Sequence, residues 1–207
     1  MSDTKTPFPK MTAKEFRSVV SDYASALPGW KKTSQNWIVR EEFPVCQTIW
    51  FQRLRSGGYR PTNSLKSIPF NASCVIHQIL DVKHQSATFR QHPSRWQAMS
   101  AAMKTQFKPR PDAPLELAEL LRLCRSERVS LYDPHPSYLL FEAVVAAWLD
   151  QLSDAKVACD YAITYVDPFD RAEPDWLKTI RAQASDLRDS IERNQHREFL
   201  VQSAETT

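Results

Sequence analysis

Glycine is scarce: the 207 residues hold three, Gly29, Gly57 and Gly58. No glycine-rich phosphate loop of the P-loop or dinucleotide type can be written around them, which excludes nucleotide enzymes of those two folds. Cysteine is sparse as well. Cys46, Cys74, Cys124 and Cys159 lie far apart in the chain, without the close pairs that a zinc knuckle or a redox motif requires, and are expected to be buried free thiols. Long apolar runs are also missing. The longest, Tyr138 to Leu149, carries Glu142 and falls far short of the roughly 20 apolar residues a membrane helix needs. The opening MSDTKTPFPK has neither the basic start nor the apolar core of a leader peptide. A soluble, cytoplasmic protein without membrane association is expected.

What is present is charge, unevenly placed. The formal net charge is +3, yet residues 1–110 hold 17 Lys/Arg against 6 Asp/Glu, while residues 111–207 hold 10 against 18. The sign changes at FKPRPDAP, residues 107–114, where Pro109, Pro111 and Pro114 remove backbone donors and push the residues before them out of helical conformation. The expected organisation is a basic half over residues 1–108, an acidic helical half over 109–201 and a frayed tail at 202–207, together one compact domain.

Periodicity gives the elements. Thr12-Ala-Lys-Glu15 reads as a capping box, and Phe16, Val19, Val20 and Tyr23 follow at helical spacing until Pro28-Gly29. Three stretches rich in β-branched and aromatic residues come next, Trp37–Glu41, Val45–Arg55 and Ile68–Leu80, and read as an antiparallel sheet. In the second, Val45, Gln47, Ile49 and Phe51 share one face and Cys46, Thr48 and Trp50 the other. From Ser94 the period becomes about 3.6, with Trp96, Met99, Met103 and Phe107 in phase. Asp112 is expected to cap a leucine-rich helix and Pro136 to open a second. Ser153-Asp154 restarts a third, with Ala155, Ala158, Tyr161, Ala162 and Tyr165 on one face. A last helix spans about Asp175–Arg197, with Trp176, Leu177, Ile180, Leu187 and Ile191 inward. The expected fold class is α+β: an N-terminal helix and small antiparallel sheet, then an antiparallel helical half.

No spacing writes a catalytic set. Cys74 and His77 are three apart in a presumptive strand, hence on opposite faces. His77, Asp81 and His84 lack the two-histidine helical spacing of a metal site. The acidic group Asp167, Asp170, Glu173 and Asp175 reads as a turn and helix start, with no glycine for a calcium loop. No catalytic residue, metal ligand or cofactor is therefore expected, and the chain is read as a non-enzyme.

Two binding surfaces can be written. The acidic half offers Asp150, Asp154, Asp167, Asp170 and Glu173 as a face for a protein partner, a toxin or another component of its system. The basic strands offer Arg40, Arg53, Arg55, Tyr59 and Arg60 as a nucleic-acid face, since arginines grip phosphate and aromatics stack bases. Trp37, Trp50 and Phe51 are expected to fill the core between sheet and helices. A small enzyme with a site assembled from distant residues is the third reading.

Several phrases resemble a known family. Leu27-Pro-Gly-Trp-Lys-Lys32, Asn36-Trp-Ile-Val-Arg40, Cys46-Gln-Thr-Ile-Trp-Phe-Gln52 and Ile68-Pro-Phe-Asn-Ala-Ser-Cys-Val75, with Tyr165-Val-Asp-Pro-Phe-Asp-Arg171 closing a late helix, are similar to the bacterial domain-of-unknown-function family numbered 4304. The likeness covers roughly residues 14–180; Trp30 stands where phenylalanine is usual, and no glycine follows Asn71. The resemblance implies no assigned activity. By analogy of size and layout it suggests an immunity protein of a bacterial toxin system, which works by covering a toxin and needs no catalytic residues.

Overall fold

The computed structural model describes residues 10–33, 36–70, 78–130, 134–166 and 173–206, with the backbone alone for 127–130. The fold is α+β, with a small antiparallel sheet in the N-terminal half and helices in the C-terminal half. Contacts group the chain into two units. The first comprises residues 1–40, 47–64 and 76–114, and the second 41–46, 65–75 and 115–207.

In the first unit, helix α1 spans Ala13–Ser25. Its start is the expected capping box: the Thr12 N–H donates to the Glu15 carboxylate at 2.7 Å and the Glu15 N–H to Thr12 Oγ1 at 3.2 Å. Two orphan donors of the first turn are thereby satisfied. The strands are β1 (Lys31–Lys32), β2 (Trp37–Glu42), β3 (Val45–Arg53), β4 (Gly58–Ser67), β5 (Gln78–Ile79) and β6 (Ala87–Thr88), followed by α2 (His92–Gln106). Their order is β1-β2-β3-β4-β5, with β6 also on β4. Phe16, Val19, Val20 and Tyr23 of α1 and Met99 and Met103 of α2 form one core with Ile38, Ile49, Phe51 and Tyr59 of the sheet.

One strand differs from expectation. The third long strand is Gly58–Ser67, not Ile68–Leu80; residues 68–70 form a turn and the next described strand is the short β5. Tertiary pairing overrides the poor strand propensity of Arg60, Pro61, Asn63 and Lys66. On its outer side β4 is paired at Gly58–Tyr59 by β6 and at Thr62–Asn63 by β5, so Pro61, which has no N–H to give, sits at the gap between them.

The second unit carries α3 (Leu117–Ser130), α4 (Pro136–Trp148), α5 (Leu152–Thr164), α6 (Asp175–Glu192) and α7 (His196–Glu205). Helix α4 packs on α3, α5, α6 and α7 and is buried from Pro136 through Ala147, as its apolar circumference requires. Asp112 does not cap a helix, because α3 starts five residues later; its carboxylate instead pairs with Arg110 at 3.0 Å. The expected last helix is two. Asn194 adopts φ 57° and the Gln195 N–H reaches back to the Ser190 carbonyl at 2.8 Å, a Schellman-type stop between α6 and α7. The expected frayed tail is largely helix, anchored by fully buried Leu200 and by Phe199 against Phe70 at 6.0 Å between ring centroids. Trp176 and Tyr161, expected inward, are exposed. Cys46, Cys124 and Cys159 are buried free thiols, and burial raises Cys159 to about 12. No helix among the described residues is long and apolar enough to cross a membrane.

Candidate functional site

The two faces of the sheet have different fates, and alternation along each strand decides which residue meets which. On one face Ile38, Ile49, Phe51 and Tyr59 lie in the core with α1 and α2. Further along the same face runs a polar row. Arg40 Nε donates to Gln47 Oε1 at 2.7 Å, Gln47 Nε2 to Asn63 Oδ1 at 2.9 Å, and Asn63 Nδ2 to Gln78 Oε1 at 3.3 Å, linking β2 to β5 side chain by side chain. The proline-rich segment 107–114 lies on this row. The Pro109, Lys108 and Arg110 carbonyls accept from Gln47, Asn63 and Arg40 at 2.8, 3.1 and 2.8 Å, and the Ala113 carbonyl also accepts from Arg40. Trp30 Nε1 adds a bond to the Pro111 carbonyl at 2.8 Å. A segment whose prolines cannot donate is thus held through its carbonyls. Burial lowers the Arg40 pKa from the usual guanidinium value, with Asp112 opposing the shift.

At the core end sits a chain of titratable groups. Asp22 Oδ2 lies 2.8 Å from His92 Nε2, His92 Nδ1 lies 2.8 Å from the Tyr59 hydroxyl, and that hydroxyl lies 3.0 Å from the Tyr23 hydroxyl. Asp–His–hydroxyl order resembles a nucleophile-activating relay. The energetics are those of a structural network. Burial is the first cause pushing Tyr59 up to about 12, and it raises Tyr23 further. Both hydroxyls therefore stay protonated at neutral pH, and both tyrosines are fully buried. A groove of about 400 Å³ in the same unit is lined by other residues, including Lys10, Glu15, Phe89 and Arg90. What the relay does is tie α1 and α2 to β4.

The opposite face of the sheet presents a different surface. The Phe51 N–H donates to the Asn36 carbonyl and the two-residue turn after Glu42 leads into Val45, so β2 and β3 pair with Trp37 opposite Trp50. The Phe51–Tyr59 ring contact at 6.3 Å and the Gln47–Asn63 bond fix the β3–β4 register in the same way and set Arg60 opposite Trp50. The next ladder row carries Lys31 beside Val39 and Ile79 beside Thr62. Trp37 and Trp50 are each 37% exposed and Ile79 is 50% exposed. Arg60 Nε is buried without a hydrogen-bond acceptor. Trp37 and Trp50 therefore depart from their expected place in the core, whereas Phe51 is fully buried there.

The sequence-derived candidates are distributed as follows. Tyr59 is in the core and the three guanidinium nitrogens of Arg40 are all bound to the polar row and the segment over it. Arg53 lays its guanidinium over the Phe16 ring at 4.5 Å, and Arg55 is exposed in the β3–β4 turn. Among the acids, Asp150 adopts φ 58° after α4 and pairs with Arg197 at 2.6 Å and His196 at 3.0 Å. The His196 bond first, then Arg197, holds its carboxyl below the usual range. Asp154 pairs with Arg125 at 2.7 Å, and Arg125 Nε lies 3.5 Å from the buried Glu142. Glu173 pairs with Arg181. These carboxylates are compensated within their own unit. Asp167 and Asp170 lie outside the described residues, as do Cys74 and His77. Asp81 binds His84 at 2.8 Å and also accepts from Gln106 at 2.9 Å.

Comparison with protein-family models, with curated proteins and with solved structures yields no match to this chain. The relay and the polar row escaped sequence reasoning because their members are tens of residues apart. The exposed tryptophan pair had a usable signal. Trp50 falls on the face of β3 opposite Ile49 and Phe51, and Trp37 on the face of β2 opposite Ile38.

Proposed function

We propose that the chain is a non-catalytic protein-binding module that docks a partner through the sheet face of Trp37 and Trp50, and that it serves as an immunity protein sequestering a toxin. The observation carrying the docking reading is the cross-strand pair of tryptophans, each more than a third exposed. Tryptophan and arginine dominate the energetic centres of protein interfaces, and a contiguous aromatic surface kept in water marks an interaction site. The immunity role rests on the family resemblance and fold-level analogy. The ion pairs of Asp150, Asp154 and Glu173 make the acidic helical face a weaker candidate, because docking there must compete with existing partners. Nucleic-acid binding by the basic strands loses two of its five residues, Tyr59 to the core and Arg40 to internal bonds.

The test is capture from the native host with tagged wild type and a Trp37→Ala/Trp50→Ala variant, after nuclease treatment. The variant is expected to keep its circular dichroism spectrum. Loss of a central tryptophan costs about 2 kcal/mol or more, roughly thirtyfold in affinity, so a stoichiometric protein partner should be retained by the wild type alone. Equal capture by both proteins would refute the docking face.

A further inference from the structure

Resting on that docking reading, we infer that the partner surface is an acidic apolar protein segment, whose carboxylate accepts from Arg60 while its apolar side chains cover Trp37 and Trp50. Three observations carry this. Arg60 stands opposite Trp50 on the face away from the core, in the register fixed by Gln47–Asn63 and Phe51–Tyr59. Its Nε is buried yet has no acceptor, so the donor has lost water without a compensating bond and its side chain is oriented at that cost. The charge of the two ladder rows is cationic, Arg60 and Lys31 with no acid in either row, and neither side chain has an ion-pair partner among the described residues.

Guanidinium is the group suited to such a site. It presents a rigid fork that meets a carboxylate with two parallel bonds, and it is weakly hydrated enough to work beside indole rings. A carboxylate brought there fills the vacant Nε donor, and the flanking indoles exclude water from the pair, which strengthens it. Lys31, exposed one row away beside Val39, extends the cationic surface to a second acid on the segment.

The probe is a displayed library of random peptides, selected in parallel on the wild type, on Arg60→Gln, on Arg60→Glu and on Trp37→Ala/Trp50→Ala. The wild type is expected to enrich peptides with Asp or Glu next to aliphatic or aromatic residues. The enriched peptides should bind Arg60→Gln about tenfold more weakly and Arg60→Glu more weakly still, with Arg60→Glu selecting basic peptides instead. Apolar peptides without acids, bound equally by Arg60→Glu, would overturn the acidic-partner inference and leave the docking face standing. Peptides that bind the double tryptophan variant as well as the wild type would overturn both. Oligothymidylate binding lost in Arg60→Glu, without acidic peptides, would assign the arginine to phosphate and overturn the inference. Dimerisation by sedimentation, lost in the double tryptophan variant, would assign the face to a second copy of the chain and do the same.

Discussion

Gln47 Nε2 donates to Asn63 Oδ1 at 2.9 Å across β3 and β4, and the same nitrogen donates to the Pro109 carbonyl at 2.8 Å. Both side chains are fully buried. One amide therefore serves the sheet and the proline-rich segment together. Gln47→Leu removes the amide and strands the Asn63 oxygen and the Pro109 carbonyl in the interior. At about 1–3 kcal/mol per unsatisfied buried group, the expected loss is about 2–4 kcal/mol, read as a lower urea midpoint at unchanged slope. A shift under about 0.5 kcal/mol would show that the row holds nothing.

Gly58 abuts β6. A Cβ there would meet the Ala87 backbone carbonyl oxygen at 2.8 Å, and a backbone atom cannot swing aside. Gly58→Ala should part β4 from β6 and cost about 1–3 kcal/mol, with faster amide exchange at Ala87 and Thr88 than in the wild type. Unchanged exchange would contradict the close approach.

Tyr59 governs stability in alkali. Its ordinary pKa of 10.0 is pushed up to about 12 in the folded protein. Between those values the unfolded chain has released the phenolic proton while the folded chain keeps it, so the folded state binds more protons and stability falls as pH rises. The contribution is complete below about pH 10 and lost by about pH 12. Tyr59→Phe removes this dependence and also the bridge between Tyr23 and His92. The variant should be less stable by about 1–2 kcal/mol at neutral pH and decline less steeply above pH 10. Parallel pH profiles of the melting temperature would contradict the buried-phenol account.

Asp150 acts at the other end of the scale. Its folded pKa lies below the ordinary 3.8, held there by His196 and Arg197. The carboxylate is therefore stabilising above that value and the contribution is lost as pH falls through the folded pKa. Asparagine tolerates the left-handed backbone at this position better than alanine. The expected order of melting temperature at pH 7 is wild type, then Asp150→Asn, then Asp150→Ala. An Asp150→Ala protein as stable as the wild type would remove both the pair and the backbone argument.

Local features were the ones legible in the sequence. The Thr12–Glu15 box, the start of a helix at Pro136 and the two-faced alternation of β3 each depend on residues a few positions apart. Strand β4 was hidden because Arg60, Pro61, Asn63 and Lys66 have no strand preference of their own, and its neighbours supply the pairing. The segment 107–114 read as a boundary because its prolines break regular structure; that its carbonyls meet Arg40, Gln47 and Asn63 follows from contacts between residues 45 to 73 apart. Composition put Trp37 and Trp50 in the core, since large aromatics are usually covered. Phase along the strands, taken with Ile38, Ile49 and Phe51 inside, puts them outside.

The most direct test of the docking face is site-specific photo-crosslinking in the native host, with a benzophenone amino acid placed in turn at Trp50, Asp154 and Val201. All three positions are exposed. The account predicts a discrete protein adduct from position 50, absent from 154 and 201 and insensitive to nuclease. An adduct from position 154 with none from position 50 would move the interface to the acidic helices and contradict it.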